Sequence, residues 1–277
     1  LTISSSSFHD NRAFDGGGVY NTAYGASATL AVSGSTFDRD AADGSGGAIC
    51  NIVFVDGSTV EAVLDGVTIT GTAAETGGGV ANLAYAAGST ARLRVRDDRI
   101  DGATASWGGG GVANVASGAG ATASVGRDDS AADRLAWPLW ITATADLGGG
   151  VYNSASQGAE ATFVARSWLM SCVATSAGGG VYNLADGDGS SARVAPPYEP
   201  AKGGSLLVTS NSAGFGGGVF SQSSGGGSAA VDLFAAYVST TSATDSGGAV
   251  YSQASGAGST SSVSFVGSLA SVFAGSF

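Results

Sequence analysis

Short β-prone runs of alternating apolar and polar residues recur along the whole chain, separated by small residues. In a representative unit they cover residues 19–21, 29–32 and 36–39, with turns rich in Ser, Ala and Gly between them. A period of two is typical of strands, whereas an amphipathic helix needs a sustained period of about 3.6 residues. Because no such helical period is present, the sequence predicts an all-β protein with three short strands per unit.

These units repeat. Residues 16–21 read GGGVYN, and this hexapeptide or a close variant begins again at Gly46, Gly77, Gly109, Gly148, Gly178, Gly216 and Gly247. The successive spacings are 30, 31, 32, 39, 30, 38 and 31 residues. Three strands that recur at this period stack coil on coil as a parallel β-helix. We therefore predict that residues 1–277 form a single solenoid domain of about 8–9 coils, each of roughly 30 residues.

The motif also predicts how neighbouring coils contact one another. Its fourth position, Val or Ile, should form an inward row of β-branched side chains, and its fifth should point outward. Its sixth position is Asn in six copies, and stacked amides can hydrogen-bond along a ladder at a turn. The predicted ladder comprises Asn21, Asn51, Asn82, Asn114, Asn153 and Asn183. The glycines predict a corner that needs positive φ or close backbone approach.

Composition narrows the possible functions. The net charge is −11, from 22 acidic and 11 basic residues, and no basic stripe interrupts it, so nucleic acid is not an expected partner. No run of about 18 apolar residues occurs, so we expect no membrane insertion by this segment.

Cys50 and Cys172 lie about four coils apart, too far for a disulfide. The single histidine, His9, leaves no Ser-His-Asp triad and no zinc cluster, so we expect no cofactor, metal or enzymatic activity.

Three segments carry a family resemblance. Residues 7–21, 34–51 and 208–221 read SFHDNRAFDGGGVYN, GSTFDRDAADGSGGAICN and VTSNSAGFGGGVFS. They resemble repeats of bacterial right-handed β-helix surface proteins of the polymorphic outer-membrane-protein and autotransporter-passenger type. The resemblance covers nearly the whole chain and implies a right-handed coil, export, and use at the cell surface as a stalk, adhesin or structural element. Because both ends fall inside the repeat register, we expect a fragment or processed part of a longer chain.

The two long spacings point to one edge of the rod. The extra residues, 126–140 and 196–204, fall between the second and third strands of their units. Insertions at one corner of a repeat protein map to loops on one face, which is often the binding face. Carboxylates and aromatic rings gather there, namely Asp97, Asp98, Asp128, Asp129, Trp137, Trp140 and Tyr198. They suggest a carbohydrate-binding edge, or the two acids of an inverting glycosidase, which stand about 6.5–9.5 Å apart. The competing interpretation is that the charges pair in solvent and the rings pack the loops.

The sequence thus predicts a non-enzymatic structural or adhesive rod, located outside the cell or on its surface. The expected partners are copies of itself, stacked end to end into filaments, and cell-surface glycans. The alternative function is carbohydrate binding or polysaccharide degradation along the Asp-, Arg- and Trp-lined edge.

Overall fold

The computed structural model of the chain describes residues 1–127, 138–195, 206–234, 236–266 and 269–271. It confirms a parallel β-solenoid of about eight turns with three strands per coil. Equivalent strands of successive coils pair in parallel into three sheets, here called A, B and C. No helix occurs in the described ranges, and hence none long and apolar enough to cross a membrane.

The strand bounds follow the repeat. Sheet A contains Thr2–Ser4, Ser27–Ser33, Thr59–Asp65, Thr90–Arg96, Thr122–Arg127, Glu160–Val164, Ser191–Val194, Ser228–Phe234 and Thr260–Val266. Sheet B contains Ser7–His9, Thr36–Asp38, Thr68–Thr70, Arg99–Gly108, Leu139–Leu147, Ser167–Met170, Leu206–Thr209, Tyr237–Ser239 and Leu269–Ser271. Sheet C contains Val19–Ala23, Ile49–Val53, Val80–Ala84, Val112–Ser117, Val151–Ser156, Val181–Asp186, Val219–Ser224 and Val250–Ser255.

Sheet B also continues around a bend, which the sequence pattern did not predict. The extra segments are Arg12–Ala13, Ala41–Ala42, Ala73–Thr76, Val173–Ala177, Ser212–Phe215 and Ser242–Ser246. In Arg99–Gly108 and Leu139–Leu147 the two parts form one strand, and the register between these two strands shifts at the bend. These segments are rich in Ala, Ser and Thr and lack apolar alternation, so no sequence signal distinguishes them from turns.

The core lies between the three sheets and consists of rows of apolar side chains, one residue per coil. In sheet B the inward row includes Phe37, Ile69, Ile100, Ile141 and Leu169, all buried. The motif Val and Ile residues form the inward row of sheet C within the same cluster. Burying each such side chain contributes about 1.5–3 kcal/mol. Because equivalent apolar residues stack in successive coils, every coil has the same source of stability.

The six motif asparagines form a continuous buried ladder. The Nδ2 of each of the first five donates a hydrogen bond to Oδ1 of the next asparagine at 2.7–2.8 Å. The Nδ2 groups also reach backbone carbonyls of sheet A, as Asn51 does to Arg92 at 3.1 Å. The ladder lies inside the sheet C strands and not at a turn, because each strand extends beyond the Asn to a small inward residue. The amides therefore join neighbouring coils and also join sheet C to sheet A.

The glycine corner has the geometry that the sequence predicted. The first glycine of every motif copy has φ between +57° and +70°, a region that L-residues with side chains rarely adopt. The second glycine packs against the next coil. A Cβ on Gly47 would stand 2.1 Å from the carbonyl oxygen of Gly78, so only glycine fits.

Candidate functional site

Asp98 lies at the corner between sheets A and B with its carboxyl group turned into the protein. It is 4% exposed. The N–H of Val67 donates to Oδ1 at 2.8 Å, and the N–H of Arg96 donates to Oδ2 at 2.9 Å. Burial raises the pKa of Asp98 to about 8, although the two N–H donors act in the opposite direction. Asp98 therefore holds a backbone corner, and its carboxyl group is buried and not presented on the predicted carbohydrate-binding edge.

Asp97 occupies the same corner but remains exposed, with φ at +57°. The arginines that precede it lie on the outer face of sheet A and pair with acids of the previous coil. Arg96 makes a bidentate contact with Asp65, and Arg94 Nε lies 2.9 Å from Glu61 Oε1. The charge at this corner is thus neutralised by ion pairs between coils.

Trp140 lies on the outer face of sheet B, in a row along the solenoid axis. The Trp140 ring lies between Arg99 of the preceding coil and Trp168 of the following coil. The guanidinium carbon of Arg99 stands 5.5 Å from the ring centroid, and the centroids of Trp140 and Trp168 are 5.6 Å apart with the rings inclined by 59°. Leu207 and then Tyr237 continue the row in the next two coils.

A second row runs beside this aromatic one, two residues further along each strand, and is polar except at Met170. Asp101 accepts hydrogen bonds from Arg99 at 2.8 Å and from Thr142. Thr209 follows two coils later and shares a hydrogen bond of 3.1 Å with Ser239. Rings next to hydroxyl and carboxylate groups could stack on a sugar and hydrogen-bond to it. Asp101, the acidic residue of this row, already forms an ion pair with Arg99. This pair resembles a solvated salt bridge more than a catalytic acid.

The other residues of the predicted edge, Asp128, Asp129, Trp137 and Tyr198, lie outside the described residues. The flanking strands show where the two insertions leave the coil. One joins Thr122–Arg127 to Leu139–Leu147, and the other joins Ser191–Val194 to Leu206–Thr209. Both therefore connect sheet A to sheet B, two coils apart in the order of sheet A.

The outer face of sheet C carries a column of stacked rings in the second half of the solenoid. Tyr152, Tyr182, Phe220 and Tyr251 lie at successive centroid distances of 5.5, 5.0 and 5.1 Å, inclined by 18°, 7° and 6°. The first three are buried although they point away from the core, because Leu147, Ala177 and Leu184 pack against them. The prediction that this motif position simply points outward is thus incomplete, since its rings form a second apolar cluster.

The first half of the same face is different. Tyr20 is followed in its column by the small residues Cys50, Ala81 and Ala113, and the next column contains Ile52 and Leu83. These small and aliphatic residues are buried, although they lie on the outer face. Six exposed aromatic residues lie in these same coils. Apart from Phe14, we call them the aromatic patch: Tyr20, Tyr24, Phe54, Tyr85 and Trp107.

The aromatic patch has an acidic environment. Burial raises the pKa of Tyr85 to about 12, and the carboxylates of Asp15 and Glu75 raise it further. Burial also raises the pKa of Tyr20, to which Asp15 again contributes. Asp15 is held in place because its Oδ1 accepts the N–H of Ser45 at 2.8 Å. An anion near these rings would be repelled, whereas a cation would be attracted.

The remaining reactive side chains are either inaccessible or ion-paired. Cys50 and Cys172 are free and buried, and burial raises the pKa of Cys172 to about 12 and that of Cys50 well above its usual value. His9 is exposed, with Nε2 2.8 Å from Asp10 and Nδ1 3.0 Å from Asp38. Within the described ranges, no group of three or more His, Cys, Asp or Glu residues could hold a metal ion.

Comparisons with protein-family models, with curated protein sequences and with solved structures give no match.

Sequence reasoning missed the aromatic patch, although a signal for it exists. Tyr24, Phe54 and Tyr85 each stand three residues after a motif asparagine, in the first three copies. Equivalent positions stack in a solenoid, so this spacing places three rings in one column. Trp107 stands two residues before the first glycine of its motif copy, a position that Phe14 occupies in the first copy.

Proposed function

We propose that this chain is a non-enzymatic structural and adhesive rod, exported and displayed outside the cell or on its surface. The observation that carries the proposal is the unbroken connection between coils. Three parallel sheets join each coil to the next and a buried amide ladder joins six of the coils, which gives a stiff scaffold with repeated lateral faces. Such a scaffold suits display and spacing, because its outer residues can vary while the inward rows keep the fold.

The thiols are consistent with this location. A thiol reacts as the thiolate, and burial that raises the pKa of both cysteines keeps them protonated and shielded. The chain would therefore tolerate an oxidising compartment without forming disulfides between molecules. Membership of the polymorphic outer-membrane-protein and autotransporter-passenger type is part of the proposal, supported by the repeat strings. Head-to-tail stacking of copies stays a prediction from the sequence.

A second candidate function is binding of cell-surface glycans along sheet B. It is favoured by the row of Arg99, Trp140 and Trp168, which lies beside the polar side chains of Asp101 and Thr142. Flat rings next to hydrogen-bonding groups suit a sugar chain that runs along the solenoid axis. The internal position of Asp98 speaks against a hydrolytic version of this candidate.

The test is to display the chain on bacteria through an outer-membrane anchor and to measure retention on surfaces coated with polysaccharide or with protein. We expect greater retention than for cells that carry the anchor alone, and no release of reducing ends from the polysaccharide. Loss of retention in a Trp140→Ser, Trp168→Ser variant would assign adhesion to sheet B. Release of reducing ends, or retention equal to that of the anchor alone, would refute the proposal.

A further inference from the structure

Buried polar side chains lie at the bend of sheet B in the first three coils. Asp40 stands between the strands Thr36–Asp38 and Ala41–Ala42. The register of the sheet places Asn11 at the same position in the preceding coil and Thr72 in the following one. Asp40 and Thr72 are both wholly buried, at 0% exposure. Buried polar groups are almost always hydrogen-bonded, so each polar atom at this bend needs a partner.

One oxygen of the Asp40 carboxyl group has partners and the other has none. Oδ1 accepts the backbone N–H of Asn11 and its side-chain Nδ2, both at 2.8 Å. Oδ2 is buried and has no hydrogen-bond partner in the described part of the chain, and the same is true of Oγ1 of Thr72. Such an atom destabilises the fold, and a carboxylate oxygen does so most strongly.

The same bend in a later coil shows where Oδ2 of Asp40 lies. Asn211 occupies the equivalent position, and its Oδ1 likewise accepts a backbone N–H of the preceding coil, that of Cys172, at 2.7 Å. Its other arm, Nδ2, donates to the carbonyl oxygen of Leu169 at 3.1 Å. The residue equivalent to Leu169 in the first coil is Phe8. Oδ2 of Asp40 thus takes the place of a donor beside the Phe8 carbonyl, and two acceptors cannot bond to each other.

Two acceptors and one hydroxyl define the chemistry of the group that fits between them. A water molecule donates two hydrogen bonds, which the Asp40 carboxylate and the Phe8 carbonyl can accept, and it accepts one from the Thr72 hydroxyl. Internal waters typically make about three such bonds. The backbones of neighbouring coils are about 4.8 Å apart, a separation that one water can bridge. A calcium ion fits less well, because it takes about six to eight oxygen ligands.

We propose that one internal water molecule is bound at the bend of sheet B, where it bridges Oδ2 of Asp40, Oγ1 of Thr72 and the carbonyl oxygen of Phe8. This water joins three successive coils and completes the hydrogen bonds of a buried carboxylate. In the later coil, the side-chain amide of Asn211 makes the equivalent bond directly. The site depends on the geometry of the bend and not on the adhesive role proposed above.

A crystal structure of the purified chain tests the site directly. We expect a water oxygen within about 2.5–3.0 Å of both Asp40 Oδ2 and Thr72 Oγ1. A direct hydrogen bond between the two side chains would overturn the proposal. A cation in place of the water, recognised by oxygen contacts of about 2.3–2.6 Å, would overturn it as well.

Relaxation dispersion of water oxygen-17 counts long-lived internal waters in solution. In the double variant Asp40→Asn, Thr72→Val, the new amide can donate as that of Asn211 does and the hydroxyl is gone. The count should therefore fall by about one water per molecule. Asp43→Asn is the matched control, because it removes the same charge from a side chain of the same coil that is 55% exposed, and it should leave the count unchanged.

An unchanged count in the double variant, with the fold intact by far-ultraviolet circular dichroism, would overturn the proposal. An equal fall in the Asp43 control would do the same. If the double variant does not fold, the crystal structure of the unchanged chain decides.

Discussion

The Nδ2 group of Asn82 donates a hydrogen bond to Oδ1 of Asn114 at 2.8 Å, and both side chains are wholly buried. Each amide in turn contacts backbone carbonyls, so that Asn114 also reaches Thr162 at 3.0 Å. A polar group buried in this way stabilises the fold only while every partner is present. The ladder therefore makes each asparagine dependent on its neighbours.

We expect Asn114→Ala to lower the free energy of unfolding by about 2–4 kcal/mol. The substitution leaves an N–H of Asn82 without its acceptor and Oδ1 of Asn153 without its donor. Asn21→Ala is the matched control and should cost less, since among the described residues Asn21 joins only one ladder amide. Urea denaturation with amide hydrogen exchange would measure both. Equal losses for the two variants would contradict cooperative stacking.

The contribution of Asp98 to the stability of the protein should fall as pH rises above 4. Its pKa is about 8 in the fold against 3.8 in an unfolded chain, so between these values only the folded state keeps the proton. Each pH unit in that window removes up to about 1.4 kcal/mol of stability from this group. The cause is chiefly burial, with the charges of Asp65 and Asp97 adding to it.

Asp98→Ser tests this pH dependence. The hydroxyl can still accept a hydrogen bond, as Ser35 does from the N–H of Ser6 at 3.1 Å at the equivalent corner. We expect the slope of stability between pH 5 and pH 8 to become shallower in this variant. Asp97→Ser, which removes the smallest of the causes that raise the pKa of Asp98, should change the slope far less. An unchanged slope in Asp98→Ser would show that the carboxyl is ionised throughout.

Gly47→Ala should destabilise the protein by about 3 kcal/mol or more. The new methyl group would overlap the carbonyl oxygen of Gly78 and the backbone of Ala73, which cannot move without separating two coils. Gly126→Ala is the control, because no atom lies within 4 Å of its added Cβ. Thermal unfolding of the two variants would compare them, and a small effect at Gly47 would mean that the corner can open.

Both cysteines should resist alkylation in the folded protein. Burial keeps Cys172 protonated, with a pKa of about 12, and shields Cys50 in the same way. Mass spectrometry after iodoacetamide treatment at pH 8 should show no modification of the native chain and two modifications after denaturation. A Ser191→Cys variant supplies an exposed reference thiol on sheet A. Native-state modification of Cys50 would reveal an opening at the aromatic patch.

The repeat predicted the coil because it fixes which residues stack. Gly46 and Asn51 recur at equivalent positions in coil after coil, and this alone identifies the corner and the ladder. The repeat does not predict the direction in which a side chain points at a corner. Asp98 reads as a surface acid in sequence, whereas its carboxyl turns inward because two backbone N–H groups need an acceptor there. The aromatic patch escaped prediction although Phe54 and Tyr85 recur at equivalent positions, because the spacing does not show that a side chain on the outer face stays exposed.

The amide ladder also gives the rod a chemical direction. Each of the first five asparagines donates to the asparagine of the following coil, so the two ends of the ladder are chemically different. The ladder stops at Asn183, because Ser221 and Ser252 take the amide position in the following two coils. A coil of the ladder in the reverse orientation would place donor against donor or acceptor against acceptor in a buried site. Along these six coils, the side chains thus impose the polarity that the parallel backbone already has.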